Sequence, residues 1–165
     1  MILNSLDGAA IAGRDAIVAR LRLIDAEWTD VVYDDPRGLG TAEGLPGLAQ
    51  RTGAAFVVMV LTGDIDTDMQ ADGGRVLRSY EYPVMYGQVY GEGAGVDEFI
   101  GRIEKSENRI GSAPFTVTIG SDTFEMAVSG MESAQPIAPS FDETGTEVIG
   151  MTKATTVTLS IEVCP

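Results

Sequence analysis

A chain of 165 residues with 44% hydrophobic and 22% charged side chains is long enough, and apolar enough, to bury a core without disulfide or metal staples. Its net charge of −14, from 25 acidic and 11 basic residues, excludes the basic footprint that grips nucleic acid or an anionic membrane surface. Histidine is absent, which removes the commonest general base, the commonest metal ligand and any Ser-His or Cys-His pair.

The single cysteine, Cys164, cannot form an internal disulfide. Met1 to Asp7 has neither the basic region nor the apolar core of a signal peptide, and cytoplasmic synthesis is expected. The longest apolar run, Ala54 to Leu61, is far below the ~20 residues a membrane span needs.

In chain order, Ile11 to Asp25 predicts a helix, with Ile17, Leu21, Ile24 and Trp28 on one face and Asp7-Gly8 as a capping signal. Thr29 to Tyr33 is β-branched and predicts a short strand. Pro36 to Gly53, with Gly38, Gly40, Gly44, Pro46 and Gly47, predicts a long loop. Ala54 to Leu61 predicts a strand buried on both faces. Arg75 to Tyr90 predicts a long one, because Val76, Tyr80, Tyr82, Val84, Tyr86 and Tyr90 share one parity. Pro83 suggests an edge or a bulge there. Together these two strands form an antiparallel hairpin around the acidic loop from Gly63 to Gly74.

Val96 to Ile110 predicts a second helix, with Val96, Phe99, Ile100, Ile103 and Ile110 on its apolar stripe and Gly111 as its stop. Phe115, Val117 and Ile119 alternate, Gly120-Ser121-Asp122 turns, and Phe124, Met126 and Val128 alternate again. Ser129 to Lys153 contains Pro136, Pro139, Gly145 and Gly150 and reads as a second long loop. Val157, Leu159, Ile161 and Val163 predict a last strand with one wet face. The order fits one α+β domain: an antiparallel or mixed sheet with two helices packed on one face, and long loops near 36–53 and 129–153.

No catalytic constellation is evident, and no cofactor is expected. Asp64, Asp66 and Asp68, with Asp72 behind them, alternate like the start of a calcium loop. Met69 and Arg75 stand where the full loop needs Gly and Glu, so a solvated hairpin tip is the favoured reading and calcium the weaker one. Gly91, Gly93 and Gly95 lack the spacing of a dinucleotide fingerprint, and Glu92 and Asp97 repel phosphate. The tyrosine stripe suits either a helix-covered sheet face or a protein interface. The two long loops suit either surface disorder or arms that reach a neighbouring subunit. Read as arms, their apolar residues are candidate subunit contacts: Leu39, Leu45 and Leu48 in the first, and Ile137, Phe141, Val148, Ile149 and Met151 in the second.

Ala16-Ile17-Val18-Ala19-Arg20-Leu21, leading to Val31-Val32-Tyr33-Asp34-Asp35-Pro36, resembles the opening of tail terminator (tail completion) proteins of tailed bacteriophages. The order that follows (hairpin, second helix, two strands, closing strand) is similar to theirs. One departure is the long loop Pro36 to Gly53, where the family pattern has a short proline-bearing link. The resemblance implies a virion protein that forms a homo-oligomeric ring, usually a hexamer, at the head-proximal end of the tail. Such a ring contacts the tail tube protein and the head–tail connector or stopper, and DNA passes its lumen without specific binding. Related alternatives are another neck or minor tail protein, or a monomeric calcium- or small-ligand-binding domain.

Overall fold

The computed structural model describes residues 8–24, 29–30, 54–58, 60, 76–89, 95–133, 136–141 and 144–163. Helix α1 spans Ala9–Ile24, two residues ahead of the expected start. It begins at Gly8, whose φ of 90° suits glycine and whose carbonyl accepts the Ala12 N–H at 2.9 Å. Ile17 and Leu21 are buried, as their spacing requires. Helix α2 spans Val96–Ile110, the expected bounds, and Gly111 ends it by donating its N–H to the Glu107 carbonyl. Phe99, Ile103, Ser106 and Ile110 form its buried face. Val96 and Ile100 were expected on that stripe but remain 45% and 38% exposed. The helix carries more apolar positions than one contact face covers.

Strands β1 (Thr29–Asp30), β2 (Ala54–Val58), β3 (Val76–Val89), β4 (Phe115–Ile119), β5 (Asp122–Glu132), β6 (Ala138–Phe141) and β7 (Val148–Val163) form one sheet. Its order is β1-β2-β3-β7-β5-β4, with β6 paired to β7 off that path. Among the described residues β1 and β2 run parallel and the remaining pairs are antiparallel. The α+β class and the β2–β3 hairpin are therefore as expected. The expected first and last parts of strand 29–33 divide at the described residues: Thr29 and Asp30 are strand, and 31–33 lie outside them.

β7 is the spine. It pairs with β3 from Gly150 to Val163 along one side. Along its other side it pairs first with β6 and then with β5. This overturns the reading of Ser129 to Lys153 as a long loop. Its residues complete β5, form β6 and begin β7. Pro139 is tolerated because β6 is a short outer strand, where a missing N–H costs least. Pro83 lies inside β3, between β2 and β7, yet β2 pairs only as far as Val84. Position 83 is thus locally an edge on the β2 side among the described residues.

Both helices lie on one face of the sheet. Tyr82, Val84 and Tyr86 of β3, Met151, Val157, Leu159 and Ile161 of β7, and Phe115, Val117 and Ile119 of β4 meet them in one core. The tyrosine stripe is therefore core where it is described, not an interface. A bulge falls between Val128 and Gly130. It shifts the alternation of β5, so Met126 is buried before it and Met131 packs against the core after it.

Candidate assembly surface

The outermost described apolar pair sits where β6 turns into β7. Phe141 pairs with Val148, and they are 49% and 41% exposed. Directly opposed antiparallel residues hold their side chains on one face, with Cβ atoms ~5 Å apart. Thr144 and Thr146 share a 2.6 Å hydroxyl contact across Gly145, whose φ is 71°. Glu147, next to Val148 in the chain, is exposed, and Asp142 and Glu143 lie outside the described residues. Among the described residues β3 pairs with β7 from Gly150 onward, so Val148 has no described β3 partner.

The other candidate contacts divide around this tip. Between Ser140 and Phe141 the register shifts, and Ile149 falls between the paired Val148 and Gly150. Ile149 is thus the bulged residue, half-buried. Ile137 is partly buried against the core. Met151 is 1% exposed and belongs to the core, so it is withdrawn as a surface contact. The bulge is the cause: it hides the alternation that places Met151 on the helix side. Leu39, Leu45 and Leu48 lie outside the described residues, as do Asp64, Asp66, Asp68 and Asp72. Among the described residues no group of three or more His, Cys, Asp or Glu is placed to hold a metal ion. No described helix is long and apolar enough to cross a membrane.

One polar network escaped the sequence reading. Beneath α2, the Thr155 hydroxyl donates to Glu107 Oε1 at 2.6 Å. Arg102 donates to Gln88 Oε1 at 3.2 Å and to Glu98 Oε1 at 3.0 Å, and the Ser106 hydroxyl donates to the Arg102 carbonyl at 2.8 Å. This network pins α2 onto β3 and β7. Gln88 is 2% exposed and its Nε2 has no hydrogen-bond partner among the described residues. Burial, and then the charge of Glu107, push the Tyr86 phenol well above its usual range, so it stays neutral. Gln88 and Thr155 sit on a strand face otherwise read as apolar, and only the tertiary pairing brings Arg102 and Glu107 to them.

The opposite sheet face, expected to be the wet one in β7, is covered by no described helix. There Ser160 shares hydrogen bonds with Ser79 at 2.8 Å and with Ser129 at 2.6 Å. Alternation places Thr152, Thr156 and Thr158 on this face as well. This face is rich in hydroxyls, and Ser160 at its centre is buried.

The helix ends opposite the tip are locked by Arg20. Its guanidinium donates to the carbonyls of Ile110 at 2.9 Å, Ala113 at 2.6 Å and Pro114 at 2.8 Å. It also lies 3.5 Å from the centroid of the Phe115 ring. Burial lowers its pKa from the ordinary arginine value. Arg20 falls within the A-I-x-A-R-L stretch of the family resemblance, and here its work is structural.

No protein-family model matches the chain, and no curated protein matches it.

Proposed function

We propose that this chain is a structural virion protein of a tailed bacteriophage: a tail terminator that forms a ring at the head-proximal end of the tail. In this role it caps tail-tube growth and joins the tail to the head connector. The observation that carries the reading is the β6–β7 tip. Beyond the last β3 pair among the described residues, β6 and β7 hold the paired Phe141 and Val148 half exposed. An exposed apolar pair on paired strands suits contact with a neighbouring subunit better than it suits solvent. The resemblance of Ala16–Leu21 and Val31–Pro36 to the terminator opening supports the same reading. The net charge of −14 suits a lumen that DNA passes without adhering.

The mechanism on this reading is geometric. A closed ring offers one surface to the tube and another to the neck, and needs no reacting group. The test is light scattering after size exclusion, with negative-stain imaging, on the protein alone and with tail tubes. Closed rings with a DNA-wide hole, and tubes of arrested length, are the expected result. Rings that bind tubes without stopping their growth point to another neck or minor tail role. A strict monomer that leaves tube growth unchanged refutes the proposal.

A further inference from the structure

We infer that β4 is a pairing edge: the β4 strands of two copies of this chain join antiparallel about Val117 and continue the sheet from one copy into the other. The inference goes beyond the ring reading and does not rest on it, because a two-fold contact closes at two copies.

β4 ends the described sheet on one side, with β5 as its neighbour. The hairpin between them fixes which backbone groups look outward. Ile119 and Asp122 flank the two-residue turn Gly120-Ser121, whose glycine has a φ of 63°. Residues flanking such a turn exchange both backbone hydrogen bonds, and the pattern alternates from there. Phe115, Val117 and Ile119 therefore bond to β5, while Thr116 and Thr118 turn their N–H and C=O groups away from it. Both threonines are exposed, and among the described residues no hydrogen bond meets those groups.

The free row has limits on both sides. One step back, Pro114 has no N–H, and its carbonyl accepts from Arg20 at 2.8 Å. One step on, Gly120 belongs to the turn. A two-fold pairing that uses both Thr116 and Thr118 is thus centred on Val117. It sets Thr116 opposite Thr118 of the second copy with both backbone bonds exchanged, and by symmetry the reverse. Val117 then meets its own copy, and Phe115 meets Ile119 of the second copy.

The sequence of β4 selects a second copy as the occupant. A charged strand paired with itself brings like charges together, whereas Phe-Thr-Val-Thr-Ile carries none. Thr–Thr and aromatic–β-branched pairs are favourable across strands. An edge without proline, charge or bulge is a template for another strand. The other described edges carry such devices. β1 is two residues long and holds Asp30, and β6 holds Pro139. β5 beyond its β4 pairs has the bulge between Val128 and Gly130 and ends in Glu132.

The experiment uses the full chain with Cys164→Ser, carrying either Thr116→Cys or Thr118→Cys. In this register the two positions face each other with Cα atoms ~5.5 Å apart, within disulfide reach, whereas each lies out of reach of its own copy. Under mild oxidation an equimolar mixture should give a cross-linked dimer of twice the 17.4 kDa monomer mass, and either variant alone should give none. Thr118→Pro removes an outward N–H that bonds nothing within the described chain. It should weaken dimerisation roughly tenfold or more, read by light scattering across a dilution series. Thr116→Glu with Thr118→Glu, which sets like charges face to face, should do the same, and unchanged circular dichroism confirms that each variant is folded. A mixture without cross-links, or single variants that cross-link as well as the mixture, overturns the inference. So does a wild type that stays monomeric up to millimolar concentration. Wild-type rings whose mass is the same in both edge variants overturn this contact and leave the ring reading standing.

Discussion

Replacing Gly13 by alanine sets two physical effects against each other. Helix propensity alone favours alanine by about 1 kcal/mol within a helix such as α1. The tertiary structure opposes it. A Cβ at position 13 collides with the Tyr82 hydroxyl, and it lies 2.9 Å from Tyr82 Cζ and 3.3 Å from Met126 Sδ. Tyr82 is fully buried, and its hydroxyl donates to the Ala10 carbonyl at 2.8 Å, so the ring cannot retreat without losing that bond. Overpacking of this kind costs about 1–3 kcal/mol. Losing the hydrogen bond adds about 1 kcal/mol. The balance predicts that Gly13→Ala destabilises by roughly 1–3 kcal/mol, against the sign of propensity. Urea denaturation of the wild type, Gly13→Ala, Tyr82→Phe and the double variant measures it. In the Tyr82→Phe background the alanine should cost less, because the colliding oxygen is gone. An alanine variant as stable as the wild type, or more stable, refutes this close approach of α1 to the sheet.

Three further outcomes are expected. Burial raises the phenol pKa of Tyr82 and Tyr86 above the ordinary tyrosine value, so the folded state holds protons that the unfolded chain releases. Stability should therefore be level below about pH 10 and fall as pH rises beyond it; Tyr86→Phe should flatten that fall in melting scans across alkaline pH. Arg20→Met removes three hydrogen bonds to the end of α2 and the turn after it. It should lower the urea midpoint by an amount worth about 1–3 kcal/mol, and Arg20→Lys should restore little of it, because an ammonium lacks the planar fork. Met151→Ala should cost about 2–5 kcal/mol as a core cavity, whereas Phe141→Ser should cost under about 1 kcal/mol and act on self-association instead. Equal losses for the two would refute the division between core and tip.

Local chemistry determined much of this fold. The 3.6-residue spacing of Phe99, Ile103 and Ile110, and the glycine that follows, set α2 to its observed bounds. The strict alternation of Phe115, Val117 and Ile119 set β4, and the same signal in Val157, Leu159 and Ile161 marked the end of β7. These signals depend only on nearest neighbours along the chain. The region from Ser129 to Lys153 did not yield to them. Pro136, Pro139, Gly145 and Gly150 are turn-formers by local preference, yet Pro139 and Gly150 sit in strands because pairing partners hold them there. Two bulges broke the alternation that would have revealed those strands, one at Ser129 and one at Ile149. The candidate site followed the same division. Composition placed Phe141, Val148 and Met151 together as apolar residues of one segment. Only the sheet decided which of them serves the core and which faces outward. A bulge in β7 lets Phe141 and Val148 pair at the open end of the sheet while Met151 turns under the helices. That choice rests on strand register, a property of the partner strand as much as of the chain that carries the residues.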